Sequence, residues 1–411
     1  MSRSPFPRLL AAIVAGLLLT VLVVRGSGTT RSAAANAMGL ESAHQAAKAM
    51  LAWYYRPDEG LLTSYAPSDR APYALLWGYS WGLQAIESVA ALPGGTRYLP
   101  LVRRLADDLD RYWDGKARVP AYAPTIDPGA YAIKFYDDNA WAGLDLLQAF
   151  ELTADARYLR EAEVVFSYLK TGWDARRGGI YWNDARDTRN TAATAPTAEL
   201  AAGLYLATGR QDYLAWAKKI FTWEVRYLVD QRSGQVWGNV DADGNVSATD
   251  WTYNQGTVIG AAVLLYRITQ DRSYLLQARK TEGFVLRNLV RPDGTIVPPA
   301  EFGGVLADNL RLLYEETGDS VIARVVAASS RSALLHARNG DNLYANDWDG
   351  PPADSNGLPL LTQSGAVRLL AVRAAIGGGS SWELAFGGVR LPAASVTRRA
   401  AGFQKTRLRR L

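Results

Sequence analysis

Six apolar segments punctuate the chain: WGLQAIESVAAL, WAGLDLLQAFEL, APTAELAAGLYLA, TVIGAAVLLYRI, ADNLRLLYEE and SGAVRLLAVRAAI. Most carry small residues all round the helical circumference, as expected of inner helices packed closely on every side. Segments of mixed polarity alternate with them and share one grammar. TADARYLREAE (153–163), TGRQDYLAWAKK (208–219) and TQDRSYLLQARK (269–280) each open on Thr and a polar turn, then give Tyr-Leu and Ala at helical spacing. LPGGTRYLPLVRRL (92–105) is a looser copy, and TGDSVIARVV (317–326) keeps the turn. Tyr98, Tyr158, Tyr213 and Tyr274 fall 55 to 61 positions apart, room for a helical hairpin with its loops. Six such hairpins with no composition break predict an all-α fold in a single domain over residues 41–376: six inner helices ringed by six outer ones, an (α/α)6 barrel. The longer Gly-, Trp- and Asn-rich connections would gather at one mouth. GGIYWN and GQVWGNVDADGNV there alternate well enough to be short β-hairpins.

Composition refines this picture at the ends. The 45 Lys and Arg exceed the 40 Asp and Glu, yet four cations lie within residues 1–40 and seven within 390–411, stretches without a single acid. The body is therefore about −6 and suits no nucleic-acid backbone. Arg3 and Arg8 precede the apolar run Leu9–Val24, which reads as an export signal or a retained membrane tether within a leader of residues 1–40. The run falls slightly short of the roughly 20 residues of a full span. An extracytoplasmic protein, secreted or tethered, is expected. After residue 377 a Gly/Ser-rich stretch leads to the basic tail. Cysteine is absent, so neither disulfides nor thiol-linked lipid can contribute.

The chemistry must then come from other groups. His44 and His336 are the only histidines and have no second ligand at metal spacing, and Asp241, Asp243 and Asn245 in DADGN set Gly244 wrongly for a calcium loop. No metal or cofactor is expected, and no nucleotide or serine-hydrolase motif occurs. Carboxylates are left as acid–base groups. YDDNAW puts Asp137 and Asp138 side by side at the entrance to an inner-type helix. One carboxylate ionised beside one protonated is the equipment of glycoside hydrolysis, and adjacent residues can hold their carboxyls about 5–6 Å apart, the separation of a retaining enzyme. A cap and a solvated neighbour would explain the same dipeptide. Aromatic and amide residues in the mouth segments suit the C–H faces and hydroxyls of a sugar: Trp81, Asn139, Trp141, Trp182, Asn183, Trp251, Tyr253, Asn254 and Gln255. Taken singly, each tryptophan fits core packing better than a sugar platform; it is their coincidence with amide clusters that points to a sugar.

YDDNAW, GGIYWN, WTYNQGTVIGAAVLLYRIT and LTQSGAVRLLA, spread over residues 45–376, resemble glycoside hydrolase family 76, the endo-α-1,6-mannanases. The resemblance implies an (α/α)6 barrel that cleaves internal α-1,6-mannosidic bonds with retention and without metal, acting as a monomer on α-mannan or another α-linked polysaccharide or glycolipid glycan. It implies Asp137 as nucleophile, Asp138 as general acid/base, and Asn254 and Gln255 along the cleft. The sequence departs from the family's basic FKG…R pattern at EFGGVLADNLR, with Gly303 where Lys is expected and Asp308 or Asn309 near the expected Arg. A transglycosidase or a non-catalytic glycan-binding scaffold on the same barrel are the alternatives. A glycuronyl hydrolase would need basic cleft residues, for which the mouth motifs offer only Arg176, Arg177, Arg186 and Arg189.

Overall fold

A computed structural model of the protein describes residues 38–126 and 133–377. The apolar run at 9–24, the tail after 377 and part of the loop before Phe135 lie outside these residues. Twelve helices occupy the described body: α1 (38–54), α2 (Leu76–Ala90), α3 (Leu99–Asp108), α4 (Tyr136–Thr153), α5 (Ala156–Thr171), α6 (Thr191–Thr208), α7 (Gln211–Tyr227), α8 (Thr252–Thr269), α9 (Arg272–Asn288), α10 (Ala300–Thr317), α11 (Ser320–Ser332) and α12 (Leu360–Gly377). The even-numbered helices form a closed inner ring, each packed on the next, with α12 returning to α2. The odd-numbered helices surround it. α1 completes the outer ring against α12, where Gln363 Nε2 donates to Ala46 O at 3.0 Å. This is the (α/α)6 barrel that the alternation predicts.

The repeated Thr-x-Asp grammar is the turn between an inner helix and its outer partner. Thr153, Thr208, Thr269 and Thr317 each donate back to the carbonyl four residues earlier. The next residue (Ala154, Gly209, Gln270 or Gly318) is left-handed, with φ between 55° and 70°. Asp155, Asp271 and Asp319 then cap the outer helix by accepting from the N–H two residues on, at 2.8 to 3.0 Å. The periodic tyrosines link neighbouring outer helices: Tyr158 donates to Asp107 and Tyr213 to Glu163. Inner helices touch closely through glycine. A Cβ on Gly365 would lie 2.3 Å from Ala300 O, so α12 and α10 could not otherwise meet as they do.

These tight turns all lie at one end, the rear. The other end is the mouth, where the long loops enter the inner helices and carry short antiparallel strands. β1 (Tyr55–Arg56) pairs with β2 (Leu61–Leu62), and β3 (Trp113–Asp114) with β4 (Ala121–Tyr122). β5 (Arg189–Asn190), β6 (Asn239–Val240) and β7 (Val246–Ser247) form one sheet. GQVWGNVDADGNV is thus a hairpin, registered Val240 to Val246, whose turn is held by Asp241 accepting from Asp243 and Asn245. GGIYWN forms no hairpin of its own; its residues bridge singly to Trp173, Arg189 and Phe135.

Candidate active site

Asp137 and Asp138 are the second and third residues of α4, at the mouth. Several contacts fix that first turn. Asn139 Oδ1 accepts from Tyr122 N at 3.0 Å, while its Nδ2 donates to Tyr122 O and Phe135 O. Lys134, 5% exposed, pairs with Asp114 at 2.9 Å just before the helix. Phe135 bridges Asn183, and Tyr136 N donates to Trp182 O. Trp182 is thereby placed so that its indole N–H donates to Asp137 Oδ2 at 2.8 Å. Asp137 Oδ1 accepts from Asp138 N at 3.0 Å.

The two carboxyls sit in unequal electrostatic surroundings. Desolvation pushes Asp137 up to about 6, opposed by the N–H groups of Trp182 and Asp138, which stabilise its anion. Desolvation raises Asp138 well above the carboxylate range, and the Asp137 charge raises it further. At neutral pH this favours an anion at Asp137 and a proton on Asp138.

Facing them is an aromatic shelf. Trp251 is 43% and Trp182 40% exposed, while Tyr253 is half-buried and close enough that the Asp137 charge raises its phenol. Phe302 joins them, 5.3 Å from Trp251 and 4.5 Å from Tyr253 by ring centroids. Neither Phe302 nor Trp77, which packs against it at 6.3 Å, stands out in the sequence, although Phe302 lies inside the EFGG segment.

Other expected sugar contacts are engaged elsewhere. Trp81, 1% exposed, and Trp141, 4% exposed, meet edge to face at 5.5 Å and form with Val305 a layer across the lumen below the mouth, so neither is an open platform. Asn139 and Gln255 are fully buried backbone clamps, Gln255 holding both Val236 N and Val236 O at 2.8 Å. Asn183 is buried with its Oδ1 on Ala185 N. Asn254 is buried as well, its Oδ1 without a partner among the described residues. Beneath the aromatic layer lies a polar stratum. Asp145, pushed up to about 8 by desolvation, is hydrogen-bonded to Ser80 and Gln84. Arg368 pairs with Asp308 at 2.6 Å and lies 5.7 Å from the Trp81 ring. A cavity of about 930 Å³ opens from this stratum toward the rear.

The EFGG departure also acquires a physical cause. A Cβ on Gly303 would lie 2.7 Å from the buried Trp348 ring, so no lysine fits there. The guanidinium beside Asp308 comes from α12 instead. Among the possible basic cleft residues, Arg189 is buried and turned to Asp174 and the Asp241 carbonyl. His44 stacks on Tyr98, and His336 pairs with Asp349.

Residues 40–300 match the profile of glycosyl hydrolase family 76. The chain belongs to that family. The match ends at the residue before EFGG. A Bacteroides thetaiotaomicron family 76 mannosidase superposes with a TM-score of 0.75 at 26% identity, covering 82% of this chain and 98% of that one. The α-1,6-mannanase of Salegentibacter gives a TM-score of 0.73 at 25% identity, covering 82% and 99%. The mannan endo-1,6-alpha-mannosidase DCW1 of Saccharomyces cerevisiae is 30% identical over 151 residues, 32% of this chain and 34% of the yeast protein. The chain thus aligns with about a third of the length of that relative. Asp137 and Asp138 are thus two partly buried acids of unequal proton affinity on one helical turn, beside an aromatic shelf.

Proposed function

We propose that this protein is a retaining glycosidase that cleaves internal α-1,6-mannosidic bonds of a mannan or mannose-containing envelope glycan outside the cytoplasm. Asp137, as the anion, attacks the anomeric carbon while protonated Asp138 gives its proton to the departing glycosidic oxygen. A covalent mannosyl ester on Asp137 results. Asp138, now ionised, takes a proton from water as that water attacks the same carbon, releasing Asp137 and restoring the α configuration. Trp182 and Trp251 offer flat faces to the sugar rings.

The observation that carries this reading is the asymmetry of the pair. Two N–H donors favour the anion on Asp137, whereas burial and its neighbour's charge favour the proton on Asp138. The test is incubation of linear α-1,6-mannan with the protein and with Asp137→Asn and Asp138→Asn. A ladder of α-configured oligosaccharides is expected, lost by at least about 1,000-fold in either variant with the thermal midpoint retained. Turnover in either variant near that of the unaltered protein overturns the assignment. Mannan binding without products in the unaltered protein would assign the barrel to a scaffold instead.

A further inference from the structure

Below the Trp81–Trp141 layer the barrel encloses space. The cavity of about 930 Å³ follows α4 rearward from Trp141 to Leu152, about 16 Å of helix, with apolar walls at Leu144, Leu147, Leu264 and Val372. Glu199 lines it, 6% exposed, with neither a hydrogen bond nor an ion pair among the described residues. Its Oε1 shares one spot with Asn309 Oδ1: a Cβ on Gly260 of α8 would collide with both. Asn309, also 6% exposed, uses its Nδ2 on Val305 O at 3.1 Å, so its Oδ1 is the acceptor turned to that spot. Two buried acceptors thus converge where no donor stands, and a buried acceptor ordinarily has one.

The charges around this space do not balance. Glu87 on α2, Asp145 and Glu151 on α4, Glu199 on α6 and Asp308 on α10 line or flank it, against Arg311 on α10 and Arg368 on α12, while α8 lends Leu264 and no charge. Arg311 pairs with Glu315, and Arg368, although its Nη1 is unpartnered, is matched in charge by Asp308. The other four acids have no ion pair among the described residues, and both Glu87 oxygens lack any hydrogen bond there. Desolvation accordingly pushes Asp145 and Glu151 up to about 8 and raises Glu87 and Glu199 well above the carboxylate range.

We propose that this lumen is a second ligand site, entered from the rear, that takes a linear aliphatic polyamine. One primary ammonium donates to Glu199 Oε1 and Asn309 Oδ1, the methylene chain lies along the leucine walls, and a second ammonium meets Glu151 nearer the rear opening. Glu199 and Asn309 are the ninth and tenth residues of their helices and Glu151 the sixteenth of its own, so the two positions are about 10 Å apart along the barrel axis. A chain of spermidine's length spans that interval, whereas a monoamine meets one position only. A neutral sugar would fill the space yet leave the four carboxyls without a counter-charge. Because those acids hold protons at neutral pH, the arriving ammonium groups release protons to solvent.

The test is calorimetric titration of the full chain with spermidine at pH 7, in two buffers of different protonation enthalpy, neither of them a primary amine. Saturable 1:1 binding is expected, with about one to two protons released. Affinity should fall at least about tenfold in Glu199→Gln and at least about threefold in Glu151→Gln, each with its thermal midpoint retained or raised. It should hold in Asp137→Asn at the mouth and in Asp243→Asn on the exposed hairpin. Absence of saturable binding, or binding unaltered in both glutamate variants, overturns the proposal. Binding lost in Asp137→Asn but kept in Glu199→Gln would place the amine at the mouth and refute the lumen. Mannose bound in its stead, and lost in Glu199→Gln, would assign the lumen to a neutral sugar and refute the cation.

Discussion

Trp182→Phe isolates one atom of the proposed mechanism. The phenyl ring can keep its edge contact with Phe135, 5.0 Å away, while the donor to Asp137 Oδ2 disappears. A hydrogen bond to a charged group contributes about 1.5–3 kcal/mol, and one pKa unit corresponds to about 1.4 kcal/mol. Trp182 is 40% exposed, so water replaces part of what the indole gave. About half to one unit should survive that screening. Asp137, at about 6, then moves toward neutrality, and its ionised fraction at pH 6 drops from about a half to between about a quarter and a tenth. The assay is kcat/KM on α-1,6-mannan as a function of pH, whose limbs report the coupled pair. The acid limb should shift upward by about half to one unit with a largely retained plateau. If KM rises while the limb stays in place, Trp182 serves only as a sugar platform and the positioning argument is wrong.

The buried acids give a second pH effect, with its sign set by their raised affinity for protons. Asp145 sits at about 8 in the folded chain against about 4 unfolded, so it costs stability as pH rises between those values, by about 1.4 kcal/mol per unit. Asp145→Asn can still bond Ser80 and Gln84 and should flatten the decline of the urea midpoint between pH 5 and pH 8; an unchanged slope refutes the protonated assignment. Gln255→Ala should lower unfolding stability by about 2–4 kcal/mol by stranding both backbone groups of buried Val236, with KM in the folded protein little changed. Trp251→Ala, on the exposed shelf, should do the reverse: KM rises several-fold and stability moves by less than about 0.5 kcal/mol. Gly303→Ala should cost about 1–3 kcal/mol in denaturant melts because Trp348 has nowhere to retreat.

The hairpin repeat is legible in the sequence because its turn is local chemistry: a Thr, a left-handed residue and an Asp each act within four positions of themselves. The catalytic candidates are legible for a similar reason, since two adjacent acids at a helix start need no distant partner to attract notice. The aromatic and amide residues misled because composition says that a ring faces the lumen but not how deep. Depth follows from counting along each inner helix at about 1.5 Å per residue. Second and third positions reach the mouth: Asp137, Asp138, Tyr253 and Phe302. The fourth turns to the incoming loop, and there Asn139, Thr194, Gln255 and Gln363 each accept a backbone N–H from a mouth strand or bridge. The sixth lies a full turn below, where Trp81, Trp141 and Val305 close the lumen. The ninth and tenth carry Gln84, Asp145, Glu199, Asp308 and Arg368, the polar stratum. Six helices entering in register therefore sort their residues into layers by ordinal position. Applied from the start, this count moves Trp81 and Trp141 out of the sugar site, assigns Asn139 and Gln255 to the scaffold and brings Phe302 to the shelf. Trp182 escapes it, because it lies on a loop and its place is set by contacts distant in sequence, the Phe135–Asn183 bridge and the backbone bonds of Trp182 to Tyr136 and Thr188.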